Sequence, residues 1–197
     1  MIHINEIFTL FVATHTSEAD LVPVLAACLG MEQQLDSVTK SNVGGWQSPE
    51  IELTAAPFDV LIPDILGSLQ GVVNYGKLNN GYTLMNSWIN INRAACNNAP
   101  HVHPGSTISG VVYINVPKDS GRIRFLNPAR TAIASYIDLP QHQGDVAQGP
   151  FSEVWEYEPV AGEILLFPSW LEHYVENNNN ADGEPRVSIA FNIKVHE

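Results

Sequence analysis

The sequence predicts a mainly β domain, a two-sheet jelly roll or barrel with helices packed on one outer side. Two observations predict it. From Tyr82 to the end, short runs rich in β-branched and aromatic residues are split by Pro, Gly and Asn, at a spacing that suits a jelly roll or barrel. Before Tyr82 the texture is mixed, with two stretches of helical spacing. The chain of 197 residues is read as one domain, a helical and mixed part over 1–80 and a jelly-roll core over 81–197.

Taken in order, "INEIFTLFVA" reads as an opening strand. In "SEADLVPVLAACLGMEQQL", Ser17 is placed to cap a helix with acidic residues in its first turn and an apolar face behind them. "SNVGGWQSPEIE" reads as a turn-rich loop. "FDVLIPDILGSLQGVVNYGKL" spaces Leu61, Ile65, Leu66, Leu69, Val72 and Val73 as one helix face, with Pro63 in the first turn. The strands follow as "YTLMNSWININ", "STISGVVYINVP", "GRIRFLNP", "EVWEYEP", "GEILLFPS", "HYVEN" and "RVSIAFNIKV". "NNNNADGEP" is a polar turn segment, and no internal repeat stands out.

Composition narrows the function. The content is 45% hydrophobic and 15% charged, with a net charge of −12. Such an acidic chain has no basic patch for a phosphate backbone, so no nucleic acid partner is expected. No apolar run reaches the roughly 18 residues that span a bilayer, so no membrane partner is expected either. "MIHINEIFTLFVAT" has neither a basic start nor a small-residue cleavage site, and Cys28 and Cys96 make no CxxC. A cytoplasmic protein is the expectation. Nothing in the residues fixes the oligomeric state, and a homodimer built through the first eighty residues stays open.

The chemistry-bearing stretch is "NNAPHVHPGSTISGVVYINVP". In an extended chain, residues i and i+2 point to one side, so His101 and His103 aim their rings at one spot ahead of an apolar run. Later, "AGEILLFPSWLEHYVEN" reads as a strand, a turn at Pro168 and Ser169, then His173 opening another strand. Two early histidines and one late one can meet inside a jelly roll. His3, His15, His142 and His196 read as ordinary core or surface residues.

These residues resemble a known site. Gly162, Phe167, Pro168, His173 and Asn177 are similar to the second half of the double-stranded β-helix metal site shared by cupins and iron(II)/2-oxoglutarate-dependent oxygenases. His101 and His103 fall where the first ligands stand in both groups. The tail resembles the oxygenases. Arg186, Val187 and Ser188 match an Arg-x-Ser element that in that family holds the far carboxylate of 2-oxoglutarate, which suits the planar fork of arginine. Tyr113 matches a tyrosine that prolyl-hydroxylase-like members aim at the same carboxylate. Trp88, Asn90 and Asn92 lie on the strand that contributes polar contacts to co-substrate or substrate. The pattern as a whole resembles a bacterial and phage branch of the superfamily over about three quarters of the chain.

The resemblance implies Fe(II) as metal, 2-oxoglutarate as co-substrate, consumption of O2, and hydroxylation of a small-molecule or peptide substrate with release of succinate and CO2. No catalytic side chain is implied beyond the metal site. Trp46, Trp88 and Trp170 are candidates for the substrate pocket, and the loops over 39–52 and 127–152 for substrate choice.

The sequence departs from the usual triad of two histidines and one carboxylate. His103 stands where the acid is expected. Three arrangements follow: His101, His103 and His173 together as an all-histidine set; His103 as first ligand with Gly105 at the acid position, leaving a vacancy of the halogenase kind; or one of the early pair on the metal and the other on substrate. The first is favoured. The alternative reading is a cupin-type three-histidine metal protein that does not use 2-oxoglutarate. A typical cupin has a glutamate a few residues after its His-x-His, and residues 104–109 contain none.

Overall fold

A computed structural model describes residues 3, 9–78, 81–136, 149 and 151–196. The strands in chain order are β1 (Ala13–Thr16), β2 (Asn42–Val43), β3 (Trp46–Gln47), β4 (Tyr82–Asn92), β5 (Asn97–His101), β6 (Ile108–Asn115), β7 (Ile123–Leu126), β8 (Val154–Tyr157), β9 (Glu163–Pro168), β10 (His173–Val175) and β11 (Arg186–Val195). The helices are α1 (Val22–Gln34), α2 (Ile62–Gly76) and α3 (Arg130–Tyr136), with a 3-10 turn over Phe58–Leu61 leading into α2. The larger sheet runs β1-β9-β6-β11-β4-β3 and the smaller β2-β5-β10-β7-β8. These are the two antiparallel sheets of the expected jelly roll.

Alternation along the strands builds two separate cores. On β11, Val187, Ile189, Phe191 and Ile193 point outward to the helices. Ile89 and Ile91 of β4, Ile108 and Val112 of β6, and Ile164 and Leu166 of β9 join them there. Leu61, Ile65, Leu69, Val72 and Val73 supply the facing stripe, while Leu66 lies at its margin and is exposed. Pro63 does stand in the first turn of α2. The other parity faces the smaller sheet: Val111, Tyr113, Leu165 and Phe167 meet Ile123 and Phe125. At Gly110, opposite Phe191, an added methyl would collide with the Phe191 ring.

Several local expectations are corrected. The first helix begins at Val22, not after Ser17. Ser17 instead accepts the Ala19 N–H at 3.1 Å and donates to Asp64, and Asp20 Oδ1 accepts the Val22 N–H at 3.0 Å. Pro23 suits the start of a helix but not its second turn, which explains the later onset. The opening strand is the short β1, beginning where the expected run ends; residues 4–8 of that run lie outside those described. The loop expected around Trp46 holds β2 and β3, one added to each sheet. Half of the 127–152 loop, His142 included, lies outside the described residues, and α3 occupies its start. Among the described residues no helix is long and apolar enough to cross a membrane.

Candidate metal centre

Antiparallel pairing of β5 with β10 sets His101 directly opposite His173. Facing residues of an antiparallel pair share a side of the sheet, and the two ring centroids lie 4.4 Å apart. His103 follows two residues after β5. Its backbone N–H donates to Ser169 O at 2.9 Å, which ties it to the turn that leads into His173. Its ring centroid is 5.0 Å from that of His101 and 5.1 Å from that of His173. One nitrogen from each of the three rings falls within 4.8 Å of the others.

The tautomers suit metal binding. His101 Nδ1 lies 2.7 Å from Ala99 O, and His173 Nδ1 lies 2.8 Å from Leu171 O. A carbonyl only accepts, so Nδ1 carries the proton in each and Nε2 presents a lone pair. His103 Nε2 and His173 Nε2 lie 3.3 Å apart. Two ligands at right angles on a divalent ion with bonds of about 2.1 Å stand about 3 Å apart, so the spacing fits a shared cation. Burial, helped by the neighbouring imidazoles, holds His173 at about 3 and His103 at about 4, and burial also lowers His101. The rings are therefore neutral at physiological pH, the form in which imidazole binds a metal. The residues present fit Fe(II), as three nitrogen ligands with no carboxylate.

The opposite wall belongs to the larger sheet. Arg186 and Ser188 on β11, Tyr113 on β6, and Trp88 and Asn90 on β4 all line the pocket that the three imidazoles enter. Arg186 is 2% exposed. Its Nη1 donates to Gly121 O at 3.4 Å and its Nε has no hydrogen-bond partner. It forms no ion pair with Glu184 or Asp182. A buried cation left unpaired is costly, and an incoming carboxylate removes that cost. Gly121 suits its place: its φ is +93°, and an added Cβ would lie 2.6 Å from Glu176 O. Tyr113 stands beside the guanidinium, 1% exposed, its phenol pushed up by burial.

The other predicted residues divide. Trp88 packs beside His103, with centroids 5.6 Å apart. Asn90 faces the pocket, and its Oδ1 is buried without a donor. Asn92 sits one step behind, its Nδ2 donating to Asn98 Oδ1 at 2.8 Å. Trp46 is not in the pocket. It pairs with Ile91, which puts its side chain on the helix-side face, and its Nε1 donates to Leu35 O at 3.0 Å. Trp170 stands on the turn after β9 and is 58% exposed, outside the pocket. Gly105 is exposed, and an added Cβ there would meet nothing within 4 Å. Sequence reasoning missed Ser41 and Asn98, which line the pocket, and Val111 and Ile123 of its apolar floor; Phe167, which completes the floor, it had named only as part of the metal-site motif. The alternation of β6, β7 and β9 carried a signal for the floor; nothing local marked Ser41 or Asn98.

Comparison with known proteins adds to the geometry. A family described as "Putative 2OG-Fe(II) oxygenase" matches residues 86–192. No curated protein matches the sequence. Among solved structures, a Pseudomonas putida prolyl-4-hydroxylase is similar, with 19% identity over 96% of this chain and 95% of that one and a TM-score of 0.62. The epimerase SnoN from nogalamycin biosynthesis, in complex with Fe3+, alpha ketoglutarate and nogalamycin RO, is 14% identical over 93% of this chain and 78% of its own, with a TM-score of 0.65. A prolyl hydroxylase from Trichoplax adhaerens, in complex with a hypoxia inducible factor peptide fragment, is 14% identical over 93% and 83%, with a TM-score of 0.60. At these identities the structures establish the jelly-roll fold.

Proposed function

The chain belongs to the family of 2OG-Fe(II) oxygenases, and from that membership we propose that it hydroxylates a small-molecule or peptide substrate. In this reading His101, His103 and His173 hold Fe(II), and Arg186, Ser188 and Tyr113 hold the far carboxylate of 2-oxoglutarate. The observation that carries it is the unpaired guanidinium of Arg186 in the same pocket as three neutral imidazoles. Fe(II) with 2-oxoglutarate supplies oxygen activation, so that R–H, O2 and 2-oxoglutarate give R–OH, succinate and CO2.

The chain's own residues do the rest. The carbonyls of Ala99 and Leu171 fix the His101 and His173 rings, so the ligands are oriented before the ion arrives. Arg186 offers a carboxylate a charged donor where water is scarce, and Gly121 O steadies it. Phe167 and Phe125 pack against His173 and keep water from its ring. Residues 1–197 are taken as one such domain, because β1, β2 and β3 from the first eighty residues add strands to both sheets.

Anaerobically purified protein given Fe(II), ascorbate and 2-oxoglutarate, then air, should form succinate without any added substrate, and His173→Ala should form none. A second reading draws on the lack of a carboxylate in the cluster: a cupin-type three-histidine protein that does not use 2-oxoglutarate. Bound iron with no succinate, and no change in its visible absorption when 2-oxoglutarate is added anaerobically, would replace the oxygenase reading with that one.

A further inference from the structure

The charge of the pocket does not balance. With His103 where an acid is usual, the three imidazoles contribute no charge. Fe(II) brings two positive charges and Arg186 one; 2-oxoglutarate brings two negative. The loaded site keeps one positive charge, where a set with one carboxylate would be neutral. Among the described residues, none that lines the pocket is Asp, Glu or Lys. The surplus therefore has no counterion among the side chains that line the pocket. In a confined site of low dielectric such a surplus favours an anion strongly.

The pocket that the imidazoles enter has donors to receive one. Asn98 is 6% exposed. Its Oδ1 accepts from Asn92 Nδ2 at 2.8 Å, so its amide nitrogen is turned the other way. Asn98 Nδ2 then donates to Ser41 Oγ at 3.3 Å. One N–H is left over, and Ser41, having accepted, has its hydroxyl proton to give. Both residues line the same pocket as the three imidazoles. This relay of Asn92, Asn98 and Ser41 is separate from Arg186, Ser188 and Tyr113.

We propose that the pocket selects a small substrate bearing a carboxylate, and that Asn98 and Ser41 are the donors that receive that carboxylate. The inference rests on the oxygenase reading above and names the substrate class of the same site.

The test uses the full chain with Fe(II), without oxygen, and first adds 2-oxoglutarate, whose chelation gives a weak visible charge-transfer band. Acetate and its neutral analogue acetamide are then titrated separately. Acetate should shift the band without removing it, and should bind at least about tenfold tighter than acetamide. Ser41→Ala should weaken acetate binding, and Asn98→Asp, which puts a negative charge on the wall, should abolish the preference. Equal response to the two probes overturns the proposal, as does loss of the band with acetate, which would mean competition for Arg186. A preference that survives in both variants overturns the assignment to Asn98 and Ser41. If no band forms with 2-oxoglutarate at all, the oxygenase reading fails and this inference fails with it.

Discussion

The two faces of β11 make opposite use of one strand. Outward, Val187, Ile189, Phe191 and Ile193 are almost fully buried against helices and neighbouring strands. Inward, Arg186, Ser188 and Asn192 are buried too, but Arg186 Nε is left without a partner. On β4, which pairs with it, Ile89 and Ile91 repeat the closed face, while Asn90 Oδ1 repeats the unmet one. The outer face is complete as it stands; the inner face needs a ligand to complete it. The pleat thus divides stability from chemistry at alternate residues.

That division predicts that the two faces fail in different ways. The largest effect is expected at the cluster: His173→Ala should abolish tight Fe(II) or Ni(II) binding by calorimetry while the apo protein still melts cooperatively. An unfolded variant would erase the distinction. On the outer face, Phe191→Ala should cost about 3–5 kcal/mol in denaturant unfolding, with the metal stoichiometry of the folded fraction unchanged. Arg186→Met should weaken 2-oxoglutarate binding by about a hundredfold, in line with the roughly 2–5 kcal/mol lost when one side of a buried charged contact is removed. The same change should raise the apo protein's stability by about 1 kcal/mol or more, because an unpaired buried charge is gone. A loss of apo stability would mean the inner face is as complete as the outer.

The last effect is in pH. The folded protein keeps His103 and His173 neutral down to about 4 and about 3, against 6.5 for an ordinary imidazole. The unfolded chain takes up protons in that interval, so this contribution to stability is whole above pH 6.5 and drains away as pH falls toward 4 and 3. The melting temperature of metal-free protein should decline between about pH 7 and pH 5. Phe191→Ala should shift that curve without changing its slope, and His173→Phe should flatten it.

Much of this was legible in the sequence, for identifiable reasons. Strands from β6 to β11 were punctuated by Gly, Pro and Asn at their ends, and α2 by its apolar spacing and Pro63. His101, His103, His173, Arg186, Ser188 and Tyr113 were found by spacing and resemblance, and all six enter one pocket. β5 was hidden, because "NNAPH" is poor strand material; Pro100 is accommodated where the register with β10 shifts. The same shift defeats the i, i+2 rule at Asn98, three residues from His101, yet both line the pocket. Trp46 was misplaced by a single step of parity. Its neighbour Gln47 pairs with Asn90 and is 6% exposed, while Trp46 turns to the helices. Aromatic character says that a residue wants cover, not from which side.

The lengths of the strands carry one more consequence. Both strands are flanked on each side, but Arg186 and Ser188 ride on a strand of ten residues, whereas His173 opens a strand of three. Amide hydrogen exchange should therefore be slow along β11 and faster around β10, since short ladders open locally before long ones. On the proposed assignment of these residues, the metal side of the pocket would loosen under mild thermal stress while Arg186 still stands in place.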